Sequence, residues 1–233
     1  MEISKFVLGT VQLGMPYGVN NTTGQPSEQE SEKILETAIT GGIHTIDTAF
    51  AYGNAEERIG RFLAKNNSIA KILKIISKLQ PHIIASEPED VSEKKVCRVV
   101  EDALSRSLER LRVAKIDGYL LHTPQYLFNQ KIIDAMQHCK DKQLTANIGV
   151  SIYEVSEAMH AASLSQIDYI QIPFNIFDQR LARDDFYQLT KKNHITVFAR
   201  SPFLQGLLFK DSNNVPTNIQ RAGNYLSRLR EIL

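Results

Sequence analysis

The stretch HTIDTAFAYG (residues 44–53) begins with a short β-rich run of alternating side chains and passes at once into a polar loop. Two later runs, KIISK (74–78) and GYLLH (118–122), also close on an ionisable residue. Short runs of this kind alternate with longer amphipathic segments along the chain, which is the pattern of repeated βα units. The sequence therefore predicts an α/β protein built on a parallel sheet.

The alternation predicts seven strands and several capped helices. The strands are expected at residues 5–9, 44–48, 74–78, 118–122, 146–151, 169–173 and 195–200. Helix starts are indicated where a capping residue is followed three positions later by Glu, as in Ser27 with Glu30, Asn54 with Glu57, and Asp90 with Glu93. Apolar residues at helical spacing predict one long helix over 91–113, and a last helical segment is expected over 219–233.

The segment after the first strand decides between two α/β architectures. A doubly wound sheet normally carries a phosphate-binding turn such as G-x-G-x-x-G here, whereas GTVQLGMPYG (residues 9–18) has neither that spacing nor a helix after it. We therefore predict a single TIM (β/α)8-type barrel domain over residues 1–233, with only seven strands encoded. Without an eighth strand the first and seventh strands keep open edges, so we expect a barrel incomplete at its C-terminus or an oligomer formed through that edge.

Composition excludes several classes of function. The chain has 233 residues, 42% of them hydrophobic, and 27 Lys and Arg against 26 Asp and Glu. A formal charge of +1 gives no electrostatic footprint for nucleic acid or an anionic membrane, so a small molecule or another protein is the expected partner. Cys97 and Cys139 stand far apart, without a metal-binding motif, and predict buried, reduced thiols and no metal site. The sequence shows neither a leader nor a long apolar stretch, which predicts a cytoplasmic protein.

The polar strand ends predict a site for proton transfer. Active sites of barrels gather at the C-terminal ends of strands, and alternation puts Asp47, Lys78 and His122 on one face of three successive strands. Tyr52 follows in the loop after Asp47. Each residue alone also fits a structural role, since buried polar groups are usually only hydrogen-bonded. Together they form a set in which Lys78 is expected to lower the pKa of Tyr52 and make it a usable acid.

The set Asp47, Tyr52, Lys78 and His122, in IDTAFAYG, IISK and LLHTP, resembles the catalytic tetrad of the aldo-keto reductases. GTVQLGMPYGVNN, IGVSIYE, QIPFNIFDQRL and ARSPFLQGLL extend the resemblance over essentially the whole chain, in the style of a bacterial branch. The resemblance implies reduction of an aldehyde or ketone to an alcohol by hydride from NADPH or NADH. In these roles Tyr52 is the general acid, Lys78 lowers its pKa, Asp47 pairs with Lys78, and His122 orients the carbonyl.

The resemblance also implies a cofactor site along the strand ends. Its expected contacts, from the nicotinamide ribose through the carboxamide to the pyrophosphate, are Thr10, Asp47, Ser151, Gln171, Arg200, Ser201, Pro202, Phe203, Leu204, Gly206 and Leu207. Arg200 stands where members of the family commonly carry an aromatic residue, and Ile152 where many carry Asn or Arg. The segment that binds the adenosine of the cofactor in the family is absent from this sequence. The preference for NADP or NAD and the identity of the substrate therefore stay open.

Two other functions stay open at this point. A catalytically silent, reductase-like binding module, or an inactive fragment, would keep the same residues and use the open edge as an interaction surface. An isomerase or aldolase would use Lys78 as a Schiff-base nucleophile.

Overall fold

The sheet is described here from a computed structural model that covers residues 5–84 and 91–232. Its parallel strands lie in strict chain order and are β1 (Leu8–Gly9), β2 (Thr45–Asp47), β3 (Lys74–Leu79), β4 (Ile116–Leu121), β5 (Thr145–Ser151), β6 (Tyr169–Pro173) and β7 (Thr196–Arg200). A doubly wound sheet reverses its strand order at a switch point, and this order has no reversal. The predicted barrel-type sheet of seven strands is confirmed.

Helices follow the strands along the chain, as the βα pattern predicts. They are α1 (Val11–Gly14), α2 (Glu28–Thr40), α3 (Ala55–Lys65), α4 (Asn67–Ala70), α5 (Glu93–Leu111), α6 (Gln130–Asp141), α7 (Val155–Ser163), α8 (Asp184–Lys192) and α9 (Ala222–Ile232). Short 3-10 turns at Pro124–Phe128, Leu204–Phe209, Ser212–Asn214 and Thr217–Ile219 complete the connections. In the described part of the chain, no helix is long and apolar enough to cross a membrane.

Two apolar clusters lie on opposite faces of the sheet. The larger one fills the space between the strands and the surrounding helices. The smaller one lies on the inner face and consists of Ile76, Leu120, Tyr169 and Phe198, with Val7 packed against it. Gly149 makes room for this layer, since a Cβ atom there would stand 2.1 Å from the carbonyl oxygen of Tyr169. Because side chains alternate along a strand, the inner layer supports the polar residues one step further along the same face.

Local structure departs from the sequence prediction at the starts of α3 and α5 and in the segment after β1. Ser27 forms the predicted capping box with Glu30, but Asn54 precedes α3 without a side-chain cap. Asp90 lies outside the described residues, and Ser92 caps α5 by accepting a hydrogen bond from the Lys95 backbone. The segment after β1 was expected to open no helix, and this was wrong: Val11–Gly14 forms one helical turn. The turn is too short to carry the phosphate-binding helix of a doubly wound fold, so the architecture is unaffected.

The sheet stays open between its first and last strands in the residues that the structure describes. There β1 pairs with β2 and β7 pairs with β6, and no ladder joins β1 to β7. The first strand is also shorter than predicted, with Phe6 72% exposed ahead of it. The strand covers Leu8–Gly9, whereas residues 5–9 were expected.

Candidate active site

A buried ion pair forms the base of the candidate site. The ammonium of Lys78, at 1% exposure, donates to both carboxylate oxygens of Asp47 at 2.7 Å and to the carbonyl of Thr48 at 2.9 Å. It also donates to the hydroxyl of Tyr52 at 3.3 Å. The Gln171 amide nitrogen donates to Asp47 Oδ1 at 3.0 Å. A charge this deep needs such complete pairing, because desolvation of an unpaired ammonium is costly.

The loop that carries Tyr52 is fixed by backbone contacts. The amide of Tyr52 donates to Ala49 at 3.0 Å, and its carbonyl accepts from Ala55 at 3.0 Å, which leads directly into α3. Gly14, in α1, lies against this loop so closely that a Cβ atom would stand 1.7 Å from the Tyr52 carbonyl oxygen. Thr10 holds the preceding strand end, since both its amide and its hydroxyl donate to the Asp47 carbonyl at 2.9 Å. The tyrosine position is therefore built by α1 as well as by β2.

His122 lies beside Tyr52, at the end of β4. The two rings meet edge to face with centroids 5.8 Å apart. Its Nδ1 atom is buried and has no hydrogen-bond partner among the described residues. Burial, reinforced by the charge of Lys78, lowers the pKa of His122 to about 4. The imidazole is therefore neutral near pH 7 and offers an N–H donor without a positive charge.

The pKa of Tyr52 moves in the opposite direction from the one expected. Burial is the largest effect and raises the pKa of Tyr52 above its ordinary value. Lys78 lowers this pKa, as predicted, but Asp47 raises it, and the net change is upward. Burial alone would lower the pKa of Lys78, but Asp47 and Tyr52 outweigh it and the net direction is again up. Near neutral pH the phenol therefore keeps its proton and the lysine stays charged.

The site opens into a cleft of about 590 Å³. Asp47, Tyr52 and His122 line it, and Lys78 lies beneath them. Of the predicted cofactor contacts, those that also line it are Ser151, Gln171, Arg200, Ser201, Pro202, Phe203 and Gly206. Thr10 is fully buried behind Asp47. Leu204 does not line this cleft, and Leu207 lines a separate apolar pocket with Phe177 and Tyr225.

Several lining residues were not found from the sequence. They are Gly9, Val11, Gln12, Tyr17, Gly18, Asn20, Asn21, Tyr153 and Gln205. Four of them belong to the loop after α1, which meets the loop after β7 where the amide of Val19 donates to the carbonyl of Gln205 at 2.9 Å. Gly18 makes this approach with φ +110°, a conformation that favours glycine. No sequence signal links segments so far apart, although the glycine within GMPYG marks the turn.

Arg200 is held against the residues that follow β5. Its guanidinium lies 4.4 Å from the centroid of the Tyr153 ring and donates to the carbonyl of Ile152 at 2.9 Å. The Ile152 side chain is fully buried and is not part of the cleft lining. Many members of the family carry Asn or Arg at this position. In this chain the backbone carbonyl of Ile152, and not its side chain, makes the polar contact.

A second group of polar side chains lies away from the cleft. Cys97 and Glu101 of α5 and His138 of α6 bring potential metal-ligating atoms within 4.8 Å of one another, although the sequence predicted no metal site. Glu101 is already held by Lys142 at 2.8 Å and 2.9 Å, and by His138 at 3.3 Å. Both Cys97 and Cys139 are free thiols; Cys139 is buried as predicted, whereas the prediction of a buried thiol was wrong for Cys97, which is half-buried on the surface of α5.

Comparison with known proteins identifies one family. The model of the aldo/keto reductase family matches residues 5–230. The aldo-keto reductase YhdN of Bacillus subtilis is 26% identical over 211 residues, which cover 89% of this chain and 61% of that protein. A Schizosaccharomyces pombe relative, the aldo-keto reductase yakc [NADP(+)], is 25% identical over 213 residues, covering 85% and 60%.

A solved structure shares the architecture. A crystal structure from Pseudomonas aeruginosa is 26% identical, has a TM-score of 0.67, and is matched over 84% of this chain and 73% of that one. The chain spans about six tenths of the length of the two curated relatives. The fold is of the (β/α)8 type with seven strands in this chain. With a family model that spans almost all of its residues, the chain belongs to the aldo/keto reductase family.

Proposed function

We propose that this chain is an NAD(P)H-dependent oxidoreductase that reduces an aldehyde or ketone to an alcohol. The observation that carries the proposal is the contact of one buried ammonium, that of Lys78, with both Asp47 and Tyr52, at the base of a cleft that His122 also lines. A neutral phenol, a cation and a neutral imidazole at one position are the groups that protonation of a developing alkoxide requires.

The cleft has polar groups suited to a nicotinamide. Ser151 lies at 4% exposure, and its hydroxyl has no hydrogen-bond partner among the described residues. Gln171 uses its amide nitrogen on Asp47 and leaves its carbonyl oxygen without a partner in the same part of the chain. A donor and an acceptor are thus available to a carboxamide. The proposed cofactor is NADP(H), supported by the name of the yeast relative, with NAD(H) as the alternative.

The loop after β7 is proposed to hold the phosphates of the cofactor. Ser201, Leu204 and Gln205 have φ values of +59°, +49° and +57°, in the left-handed region that side chains other than glycine rarely adopt. Backbone strain of this kind is retained at binding sites, where the surrounding structure fixes it. Ser201, Pro202, Phe203 and Gly206 line the cleft in this loop.

The residues of the chain divide the proton chemistry among them. When bound, the reduced nicotinamide supplies the hydride. Tyr52 holds its proton at neutral pH and transfers it to the substrate oxygen, and Lys78 stabilises the phenolate that remains. Asp47 keeps Lys78 protonated. His122 donates a hydrogen bond to the carbonyl oxygen and, being neutral, does not compete with Tyr52 for the role of acid.

The same geometry disfavours Schiff-base chemistry. A nucleophilic lysine must lose its proton, whereas the pKa of Lys78 is held above its ordinary value by Asp47 and Tyr52 despite the opposing effect of burial. The ammonium also has no free path to a substrate, because Asp47, Thr48 and Tyr52 occupy its donors. Borohydride is therefore expected to trap no carbonyl compound on Lys78.

Substitution of Tyr52→Phe tests the proposal. Removing the hydroxyl is expected to lower kcat for aldehyde reduction by about 10²- to 10⁴-fold, the usual contribution of a positioned general acid, while NADPH still binds. Binding is followed by fluorescence titration, and turnover by the loss of NADPH absorbance across a panel of aldehydes. Tyr187→Phe, on the exposed side of α8, is the matched control and should leave both values unchanged.

Each result of this experiment has a defined meaning. Equal turnover by wild type and Tyr52→Phe would remove Tyr52 from the role of acid. A wild-type chain that binds NADPH but reduces none of the aldehydes would favour the silent binding module.

A further inference from the structure

The cleft carries one positive charge that forms no ion pair with any described residue. Among the described residues that line it, Asp47 and Arg200 are the charged ones. Asp47 is fully engaged by Lys78, at 2.7 Å from both of its oxygens. Arg200 has no carboxylate within 4.0 Å in the part of the chain that the structure describes. The lining of the cleft therefore presents one net positive charge, that of Arg200, to a bound ligand.

The guanidinium of Arg200 is held in place with most of its donors unused. One terminal nitrogen donates to the Ile152 carbonyl at 2.9 Å, and the plane lies against the Tyr153 ring, with 4.4 Å to its centroid. The Nε atom is buried and has no hydrogen-bond partner within the described residues. A buried donor without a partner costs free energy, and a planar guanidinium is shaped to meet a carboxylate or phosphate with two parallel hydrogen bonds.

The charge of Arg200 acts on the groups proposed to meet the carbonyl. Burial is the largest cause of the lowered pKa of His122, and Arg200 contributes to it in the same direction. Arg200 likewise counteracts the effect of burial on the pKa of Tyr17 across the cleft. The strand ends of β4 and β7 thus place a fixed cation on the same side of the barrel as the reacting groups.

We propose that Arg200 binds an anionic group of the substrate, and that the natural substrates are carbonyl compounds carrying a carboxylate or a phosphate. The proposal rests on the proposed function and adds the class of substrate to it. The diphosphate of the cofactor offers the same chemistry as a substrate anion, and the experiment separates the two sources.

The test compares two para-substituted benzaldehydes, of which one carries a carboxylate and the other is uncharged. 4-Carboxybenzaldehyde and 4-methylbenzaldehyde are reduced by wild type, Arg200→Met and Arg200→Lys, with kcat/KM measured for each pair. Wild type is expected to prefer the carboxylate by about 10- to 100-fold, the range of a charge-assisted pair. Arg200→Met should lose this preference, measured as the ratio of kcat/KM for the two aldehydes within the same variant, and Arg200→Lys should keep part of it. Arg183→Met, an exposed arginine outside the cleft, is the control.

The outcomes distinguish the proposal from its alternatives. Equal reduction of both aldehydes by wild type overturns the proposal and leaves the reductase function standing. Weaker NADPH binding by Arg200→Met, with an unchanged preference between the aldehydes, assigns Arg200 to the diphosphate and also overturns it.

If neither aldehyde is reduced, the proposed function fails, and calorimetric titration of the NADP-loaded chain with both compounds still decides the question of the anion. Tighter binding of the carboxylate that Arg200→Met abolishes supports the site. Equal binding of both compounds refutes it.

Discussion

Replacement of Asp47 by Asn tests the buried ion pair most directly. The change keeps the shape of the side chain and removes the negative charge from a pair in which Lys78 is 1% exposed and the Asp47 side chain 13%. Removing one partner of a buried pair costs about 3–5 kcal/mol, because the other charge is left without compensation. Lys78 still donates to the carbonyl of Thr48 at 2.9 Å and can donate to the amide oxygen of the new residue. We therefore expect the free energy of unfolding to fall by about 3 kcal/mol, at the lower end of this range.

In a chain of this length 1 kcal/mol corresponds to about 2–4 °C, which predicts a Tm lower by about 6–12 °C. Without Asp47 the effect of burial on Lys78 dominates, and its folded-state pKa falls below the unfolded value of about 10.4. The unfolded variant then binds more protons than the folded one, so the deficit in stability should shrink as the pH rises toward 10.

The assay is urea unfolding followed by circular dichroism, at pH 7 and at pH 9.5, for wild type, Asp47→Asn, Lys78→Met and the double variant. The double variant should lose less than the sum of the two single losses, because it leaves no uncompensated charge. A free energy of unfolding for Asp47→Asn within about 1 kcal/mol of wild type, or a deficit that does not change with pH, would refute this reasoning.

Three further substitutions test other parts of the structure. The pKa of about 4 at His122 lies below the unfolded value of about 6.5, so the unfolded chain binds the proton first as the pH falls. The free energy of unfolding of wild type, measured with urea, should therefore decrease by about 3 kcal/mol between pH 6.5 and pH 4 because of this group. His122→Gln should lack this part of the pH dependence. Gly60→Ala would place a Cβ atom 2.1 Å from the carbonyl oxygen of Arg110, so α3 and α5 must separate; a thermal melt should show a loss of about 2 kcal/mol, and an unchanged Tm would contradict the contact. Ser27→Ala removes the capping box of α2 and should lower the urea midpoint by the equivalent of about 1 kcal/mol, whereas no shift would show that water replaces the cap.

The sheet was predictable because each strand has a local signature. Alternation and β-branched residues put the strand boundaries of β2 to β7 within a few residues of those observed, and the absence of a phosphate-binding turn chose the architecture. The alternation of side chains along each strand also predicted that Asp47 and Lys78 lie on the same face, where they form an ion pair. These features depend on spacing along the chain, which the sequence contains directly.

Features that depend on tertiary contacts were not predictable in the same way. The direction of the pKa change at Tyr52 follows from how much solvent the fold removes, a quantity that the proximity of Lys78 alone does not give. The attachment of Arg200 to Ile152 and Tyr153 depends on the relative positions of β5 and β7. The same holds for the approach of His138 to Cys97 across two helices. Such effects require the packed structure, because distant segments set them.

The hydrogen bond from Val19 to Gln205 crosses the open side of the sheet, where no ladder joins β1 to β7 in the described residues. One wall of the cleft therefore depends on two loops touching, while the opposite wall is built on continuous strand pairing. Local opening at the first wall does not require the sheet to unfold, so its free energy lies well below that of global unfolding. Amide hydrogen exchange at Val19 then reports how often this contact between the two loops breaks, whereas exchange at Tyr119 within β4 reports how often the sheet itself unfolds.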